Sequence, residues 1–321
     1  MFLNTNFPKA KKYWYEGKFY DWSEAGLHPM MHALHYGTCV FEGIRAYRTA
    51  QGPAIFRLSE HNDRFLLSAA VAKMKSPYTK DQITEYIKQT VRANELDSCY
   101  IRPLLFYSFG NLGLVPKACP VELAISAWEW GAYLGEKAAR GVSAYIVPWR
   151  RVHHTQFNMS AKLGGVYVQS TICGLEAREQ GFDEAIFLNM EGRIAEGPGQ
   201  NVFIVKGGTL ITNGRMESVL EGITRTSLLE LGKDLGYKTA VGPITKKDFF
   251  GADEAFYCGT AVEVIPIVTV TDGSDPAGPK QPHTIGTGKP GPVALRMIQA
   301  FNDAVTGHDP RYEKWLTYVG R

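Results

Sequence analysis

Residues 160–167, SAKLGGVY, place a lysine between small residues at a point where a loop is predicted to lead into a helix. Most lysines in proteins are solvated surface groups, so the stretch alone is weak evidence that Lys162 has a function. Whether Lys162 has a function must be judged from other segments of the chain.

Three segments beyond Lys162 combine tight turns with groups suited to a phosphorylated cofactor. Glu196 stands in the Gly/Pro turn EGPGQN (196–201), directly before an apolar strand. LEGITR (220–225) opens a predicted helix with a glycine, and the free N–H groups of such a helix end form an anion site. A second turn of small residues, GTA (259–261), follows another strand. A lysine, an acid in a buried turn and two phosphate-cradling turns are what a pyridoxal 5′-phosphate (PLP) site requires.

The wider pattern predicts two domains. Strands at 52–58, 100–106 and 121–128 mix with helices at 58–72 and 80–94, which indicates an α+β unit. Beyond it we predict helices at 165–180, 224–235 and 293–305, strands at 184–189, 201–205, 209–212, 255–258 and 262–270, and a Gly/Pro-rich loop at 272–291. Because two glycines interrupt the pattern near residue 131, we predict domains at 1–130 and 142–321, joined by a connection at 131–141. The larger domain carries Lys162.

Composition excludes several classes of function. The formal net charge is only +3 and no basic tail occurs, so nothing favours nucleic acid or an anionic membrane as a partner. No apolar run reaches the roughly 18–20 residues that span a bilayer, and the N-terminus does not have the pattern of a signal peptide. The five cysteines include no CxxC motif. An odd count without such motifs suits a reducing compartment, so we expect a cytoplasmic protein.

Two motifs invite other functions but are weak. GTGKPG (286–291) formally matches the dinucleotide-binding pattern GxGxxG. A long polar loop precedes it instead of a strand, so we predict only a turn that leads into the last helix. His32 and His35 could share a helical face, but no third ligand stands near them, so we predict packing or hydrogen bonding and no metal site.

Eight blocks, in order and over nearly the whole chain, closely resemble the fold type IV PLP enzymes, above all the bacterial branched-chain amino acid aminotransferases. They are HALHYGTCVFEGIRAY (32–47), FRLSEHNDRF (56–65), YIRPLLF (100–106), WGAYLG (130–135), AKLGGVY (161–167), EGPGQNVF (196–203), LEGITR (220–225) and CGTAVEVIPI (258–267). The resemblance implies a D-amino acid aminotransferase-like fold, with a small N-terminal α+β domain and a larger C-terminal α/β domain. It also implies PLP as cofactor and a homodimer or a dimer-based assembly.

The resemblance implies roles for three residues at the reacting centre. Lys162 resembles the lysine that binds the cofactor aldehyde and then moves the substrate's Cα proton, because a free amine can do both. Glu196 resembles the partner of the pyridine nitrogen, since a carboxylate there keeps the ring protonated. Tyr167 resembles the tyrosine that hydrogen-bonds O3′ of the ring. Core packing is the alternative for Tyr167, because buried tyrosines seek a partner in any case.

Further residues are implied to hold the phosphate and the substrate. The cofactor-binding set is completed by Arg64, Leu220, Ile223, Thr224 and Thr260. The expected substrates are branched-chain L-amino acids, L-glutamate and the matching 2-oxo acids. Tyr100, Thr260 and Ala261 resemble the binders of the α-carboxylate. The apolar side-chain pocket is implied to include Tyr36, Phe41, Gly43, Trp130 and Tyr133, and Arg102 resembles the residue that receives a second carboxylate.

Three positions depart from the family pattern. The loop at 107–120 is not an obvious match, and in the family this loop reaches the neighbouring subunit's pocket, so fine substrate preference stays open. Val262 replaces the commoner alanine just beyond the carboxylate turn, and Glu221 stands where proline is usual. The sequence offers no explanation for Glu221.

Two other functions stay open at this point. A transaminase for D-amino acids or (R)-amines would share the fold but bind substrate with side chain and carboxylate exchanged between pockets. A non-catalytic sensor would bind PLP or a metabolite without turnover. The aromatic pocket with Arg102 argues against the first, and the intact set of Lys162, Tyr167 and Glu196 argues against the second. Arg102 also has a structural alternative, an ion pair with a nearby acid.

Overall fold

A computed structural model describes residues 7, 9–24, 26–130 and 140–320, which form two compact units. The first unit contains residues 1–131, 161–165 and 303–321, and the second contains residues 132–160 and 166–302. Two segments thus differ from the predicted domains, because 161–165 and 303–321 make their contacts with the first unit. The division into domains at 1–130 and 142–321 stays a prediction.

The first unit is built on an antiparallel sheet. Its strands are β1 (Lys12–Tyr15), β2 (Lys18–Asp21), β3 (Cys39–Phe41), β4 (Ile44–Thr49), β5 (Gly52–Phe56), β6 (Cys99–Tyr107), β7 (Val121–Trp128) and β16 (Leu316–Tyr318). Its helices are α1 (His32–Tyr36), α2 (Leu58–Val71) and α3 (Lys80–Ala93). The strand order among the described residues is β16-β5-β4-β6-β7-β1-β2, with β3 paired to β6.

Local chemistry explains where several of these elements begin and turn. The turn at Glu16-Gly17 predicts a hairpin near the N-terminus, and Gly17 indeed adopts φ +87° between β1 and β2. Helix α3 starts with a capping box, in which the Thr79 hydroxyl accepts from the Gln82 N–H and the Gln82 side chain accepts from the Thr79 N–H. Ile83, Ile87 and Val91 follow at helical spacing and are buried in the core of the unit.

The second unit is built on a mixed sheet. Its strands are β8 (Val142–Arg150), β9 (Glu184–Leu188), β10 (Asn201–Lys206), β11 (Thr209–Thr212), β12 (Lys238–Val241), β13 (Glu254–Gly259), β14 (Glu263–Asp272) and β15 (Pro282–Thr284). The helices are α4 (Tyr167–Glu179), α5 (Ile223–Asp234), α6 (Lys246–Phe250) and α7 (Pro292–Val305). The described strands run in the order β12-β11-β10-β13-β14-β8-β9, with β15 paired to β14. Helix α4 packs on β8 and β9, and α5 packs on β12 and β13.

The predicted elements are present, with ends shifted by up to two residues, and one assignment was wrong. The segment 272–291 was predicted to be a loop, but Pro282–Thr284 forms strand β15 against Thr269–Thr271. The main-chain partners that β14 provides make this pairing possible, and a polar sequence rich in Gly and Pro does not reveal them. As predicted, GTGKPG forms a turn before α7, with Gly286 and Gly288 at positive φ.

Two expectations about ligands and membranes concern the whole chain. His32 is buried and hydrogen-bonds with Thr38 and with the Gly113 carbonyl, as the packing alternative predicted. Within the described residues, no group of three or more His, Cys, Asp and Glu side chains is arranged to hold a metal ion. None of the helices in this part of the chain has the length and apolar character needed to cross a bilayer.

Candidate active site

The segment that carries Lys162 is fastened to β3 and to α2. The Phe41 N–H donates to the Lys162 carbonyl at 3.3 Å, and Val40 and Leu163 form an isolated bridge. The Lys162 N–H donates to the Ser68 hydroxyl at 2.8 Å. The main chain of Lys162 is therefore held by a strand on one side and a helix on the other.

Small residues beside Lys162 allow two backbone segments to approach closely. A Cβ on Gly164 would lie 2.2 Å from the Cys39 sulfur. A Cβ on Gly37 would lie 2.8 Å from the Cα of Gly165, and Gly37 also adopts φ +63°. Gly164 and Gly37 are therefore packing requirements, because a Cβ at either position would collide with the facing segment.

Phe41 lies beside two cations. The Lys162 Nζ is 4.8 Å from the centre of the Phe41 ring, and the Arg102 Cζ is also 4.8 Å from it. Arg102 Nη2 donates to the Tyr100 hydroxyl at 3.1 Å. A Cβ on Gly43 would lie only 1.9 Å from that hydroxyl, so glycine is required there. The predicted residues Phe41, Gly43, Tyr100, Arg102 and Lys162 thus form one cluster in the first unit.

Arg102 is set among aromatic groups and not among acids. Its Nε is buried and makes no hydrogen bond to the residues that the structure describes, and no carboxylate within this part of the chain pairs with it. The alternative of a structural ion pair therefore has no partner among the described side chains.

Three predicted pocket residues remain, and Trp130 contacts this cluster. The Trp130 and Tyr100 ring centres are 4.9 Å apart, so Trp130 extends the aromatic wall. Tyr36 is 43% exposed, and its hydroxyl donates to the Leu112 carbonyl at 3.0 Å. Tyr133 lies outside the described residues.

Arg64, the predicted phosphate ligand, is held by Glu42, for which the sequence predicted no function. Arg64 Nε and Nη2 donate to the two carboxylate oxygens of Glu42, at 2.6 and 2.8 Å. His61 Nδ1 lies 2.8 Å from the same carboxylate. Burial alone would raise the pKa of Glu42, but the charge and hydrogen bonds of Arg64 and His61 lower it well below its usual range.

In the second unit, Glu196 is a buried carboxylate with partners on both oxygens. Arg151 Nε donates to Oε1 at 2.9 Å, and the Leu220 N–H donates to Oε2 at 3.1 Å. Arg151 also donates to Gln169 at 3.3 Å and to Ser170 at 3.4 Å on α4, the helix that begins at Tyr167. Both carboxylate oxygens of Glu196 are thus fixed in position, one by a guanidinium and one by a main-chain N–H.

Asn201 joins Glu196 to the N-terminus of α5. Its side-chain amide donates to the Leu220 carbonyl at 2.7 Å and accepts from the Gly222 N–H at 3.1 Å. Gly222 is the N-cap of α5 and supplies no side-chain cap. The N–H groups of Ile223 and Thr224 therefore belong to the first helical turn, where no intrahelical acceptor is available.

The Thr260–Ala261 turn lies at the end of the second sheet where the EGPGQN turn with Glu196 lies. It connects β13 to β14, and Asn201 pairs with Cys258 in the neighbouring strands. A Cβ on Gly259 would lie 3.2 Å from the Gly199 carbonyl, so this turn and the EGPGQN turn are in close contact. Glu196, the start of α5 and the Thr260 turn are thereby brought together.

Four residues with structural roles at these groups were not recognised from the sequence. Glu42 and Asn201 stood inside quoted motifs without a role, whereas Ser68 and Arg151 carried no signal at all. Glu42 had one usable signal, because an acid that is buried in an apolar stretch of sequence needs a cationic partner. The position of Arg151 at the end of β8 follows only from tertiary pairing.

The donors present have the chemistry that PLP requires. The first unit provides a primary amine and an arginine, which suit an aldehyde and a phosphate. The second unit provides a buried carboxylate, which suits a pyridine nitrogen, and a helix N-terminus without a side-chain cap, which suits an anion.

Comparison with known proteins agrees with this chemistry. The profile of the amino-transferase class IV family matches residues 39–270. The branched-chain-amino-acid aminotransferase of Pseudomonas aeruginosa is 42% identical, over 95% of this chain and 96% of the relative. The crystal structure of a T.th. branched-chain amino acid aminotransferase with pyridoxamine 5′-phosphate is 45% identical with a TM-score of 0.90, covering 98% of this chain and 100% of that one.

The same T.th. enzyme complexed with N-(5′-phosphopyridoxyl)-L-glutamate is 44% identical with a TM-score of 0.90, again covering 98% of this chain and 100% of that one. Together with the two sheets and mixed α/β architecture, this likeness confirms the predicted fold type IV. This chain belongs to the class IV aminotransferase family.

Proposed function

We propose that this protein is a PLP-dependent aminotransferase that moves the amino group between branched-chain L-amino acids and 2-oxoglutarate, giving branched 2-oxo acids and L-glutamate. The observation that carries the proposal is the cluster around Phe41. There an amine and a guanidinium lie equally close to one aromatic ring. The relatives that match over nearly the full length are branched-chain aminotransferases.

Lys162 is the catalytic residue in this proposal. Bound PLP supplies an electron sink for the negative charge that develops at the substrate Cα. Lys162 Nζ takes the proton from Cα as general base, a task that typically contributes about 10²–10⁴-fold to the rate. The fixed main chain at Lys162, bonded to Phe41 and Ser68, limits where that amine can reach.

The other cofactor residues act as holders. Glu196 would pair with the pyridine nitrogen, and Arg151 orients the Glu196 carboxylate. Tyr167 would hydrogen-bond O3′. The phosphate would be held by Arg64, the N–H groups at Ile223 and Thr224, and the Thr260 hydroxyl, and the Leu220 N–H helps to hold Glu196.

The substrate residues divide between a carboxylate site and a side-chain pocket. Tyr100, Thr260 and Ala261 bind the α-carboxylate. The rings of Tyr36, Phe41 and Trp130 line the apolar pocket, and Gly43 leaves room for the Tyr100 hydroxyl. Burial of leucine, isoleucine or valine side chains against such rings is favourable at about 25 cal/mol per Å² of apolar surface.

Arg102 accounts for the second substrate. Glutamate carries a side-chain carboxylate, and an unpaired charge is costly to bury in an apolar pocket. The buried Nε of Arg102, which has no partner among the described residues, can donate to such a carboxylate. The relative crystallised with a phosphopyridoxyl-glutamate adduct supports glutamate as the shared amino donor.

An absorbance experiment tests the proposal and its alternatives. The purified protein should be yellow, and L-leucine or L-glutamate should shift its spectrum toward the pyridoxamine form. D-leucine and simple amines should leave it unchanged. A response to D-leucine or amines alone would support the D-amino acid or (R)-amine alternative, and binding of PLP without any half-reaction would support a sensor.

The protein functions as a dimer of identical chains in the cytoplasm. Exposed apolar side chains, Phe109 (52%), Leu114 (76%) and Val115 (62%), stand in the loop at 107–120 that Tyr36 contacts. Such a patch supports contact with a second copy, and two-fold symmetry is the commonest for oligomers. Sedimentation of the wild type and of Leu114→Asp tests this, since a fully active monomer would reject it.

A further inference from the structure

Glu42 is a charged side chain with no place in the proposed chemistry. It follows strand β3 within the FEGIR motif, is fully buried (0% exposed), and its N–H donates to the Pro103 carbonyl at 3.1 Å. An ionised carboxylate taken out of water needs full compensation. The groups that compensate the charge of Glu42 therefore indicate its function.

The compensation comes from one face of α2. Arg64 meets both oxygens of Glu42 through Nε and Nη2, a two-point contact that fixes the plane of the guanidinium. His61, one helical turn earlier, bonds to the second oxygen at 2.8 Å. Burial lowers the pKa of His61 and Glu42 raises it, whereas Arg64 carries a permanent positive charge in the trio.

We propose that Glu42 is a positioning residue that orients Arg64 for the phosphate of the cofactor, an inference that rests on the proposed function. Arginine has a long flexible chain, and its planar fork is useful to a phosphate only in one orientation. Because Nε and Nη2 of Arg64 both donate to Glu42, the guanidinium is held in one plane and one orientation. Glu42 therefore selects the edge of the guanidinium that faces the ligand.

The same face of α2 also reaches the lysine segment. Ser68, one turn beyond Arg64, donates its hydroxyl to the Arg64 carbonyl at 2.7 Å and accepts from the Lys162 N–H. A shift of Arg64 along the helix would therefore also move Ser68 and the main chain of Lys162.

A purely structural pair would have a different consequence. If Glu42 only bound α2 to the sheet, its loss would lower the affinity for every ligand by the same factor. If it orients Arg64, its loss weakens ligands that carry a phosphate and spares those that do not. Pyridoxal, which lacks the phosphate, is thus the probe that distinguishes the two roles.

The experiment compares PLP and pyridoxal binding to apoprotein by absorbance titration, for wild type and Glu42→Gln. Groups that orient metal-binding side chains typically contribute about 10–100-fold to affinity, and we take the same range for the orientation of Arg64. We expect Glu42→Gln to lose PLP affinity by this factor while its pyridoxal affinity is unchanged. Equal losses for both ligands, or no loss of either, would overturn the proposal.

Two further variants complete the test. Glu60→Gln breaks the Arg57–Glu60 pair on the same helix, where Glu60 is partly exposed, and should leave both affinities unchanged. In an Arg64→Lys background, Glu42→Gln should cause little additional loss of PLP affinity, because Glu42 acts through Arg64. A full additional loss would overturn the proposal.

Two outcomes separate this inference from its premise. If the wild type binds neither PLP nor pyridoxal, the proposed function fails and the inference fails with it; if it binds both and the variants lose them equally, only the inference fails. Should Glu42→Gln not fold, Glu42→Asp replaces it. Its carboxylate is one methylene shorter and should reduce PLP affinity selectively, and a wild-type ratio of PLP to pyridoxal affinity in folded Glu42→Asp would overturn the proposal.

Discussion

The two units present opposite kinds of binding group, and they fix them by different means. The first unit presents cations, Lys162, Arg64 and Arg102, on long side chains beside Phe41 and Glu42. The second presents Glu196 and the start of α5, held by short turns, main-chain bonds and the Arg151 side chain. A flexible cation needs a neighbouring group to orient it, whereas a turn is rigid through its own backbone. Substitutions in the first unit should therefore change the orientation of a cationic side chain. Substitutions in the second unit should mainly change the charge that is presented.

Lys162→Ala should show the largest effect. We expect loss of turnover by more than the roughly 10²–10⁴-fold that general acid–base catalysis contributes, because the cofactor also loses its covalent partner. Steady-state transamination of L-leucine measures this, with the exposed Lys238→Ala as control. A near wild-type rate for Lys162→Ala would show that the lysine has been assigned wrongly.

Glu196→Gln tests the second unit by removing charge without changing shape. Arg151 would lose this buried counter-ion, which costs about 3–5 kcal/mol of unfolding free energy. Proton abstraction from L-valine should also slow in single-turnover experiments. The double variant Glu196→Gln/Arg151→Met should recover stability but not the rate. An unchanged rate in the single variant would reject the role of Glu196.

Arg102→Leu should affect the two substrates unequally. The half-reaction with L-glutamate should lose about 2–5 kcal/mol of transition-state stabilisation, since a buried carboxylate would lose its partner. The half-reaction with L-leucine should change much less. Arg48→Leu, on an exposed pair with Asp97, is the matched control. Equal losses with both substrates would indicate a structural role for Arg102.

Gly164→Ala tests the packing that positions the lysine. Its Cβ would meet the Cys39 sulfur at 2.2 Å, and overpacking of this kind costs about 1–3 kcal/mol. Chemical denaturation should show this loss, together with slower PLP uptake. Cys39→Ala should restore both in the double variant, while Gly242→Ala, which meets nothing within 4 Å, should be neutral. Failure of the rescue would mean that the contact is not the cause.

The smallest effect concerns pH. Burial lowers the pKa of His61 from its ordinary 6.5, so below pH 6.5 the unfolded chain binds a proton that the folded chain does not. Stability should therefore fall as the pH drops from 6.5, by at most about 1.4 kcal/mol per pH unit for one group. His61→Gln should flatten this part of the curve. The pKa of Glu42 is lowered too, but its contribution is lost only at more acidic pH.

Features that depend on neighbouring residues along the chain could be predicted before the fold was known. Helix α3, with its capping box at Thr79 and apolar residues at helical spacing, was predicted almost to its ends. The hairpin at Gly17 and the helix that begins at Ile223 were equally readable. These signals arise from backbone conformation and side-chain periodicity within a few residues, so they need no knowledge of the fold.

The pairing of charges and the position of the lysine segment, by contrast, became visible in the folded structure. Glu42 and Arg64 are 22 residues apart, and Arg151 and Glu196 are 45 apart. Residues 161–165 lie in the middle of the chain, yet they contact β3 and α2 of the first unit, because the Phe41 N–H and the Ser68 hydroxyl bond there. Pairings of this kind depend on which strands and helices become neighbours, and the free energy that selects them comes from burial of the whole core rather than from any local motif.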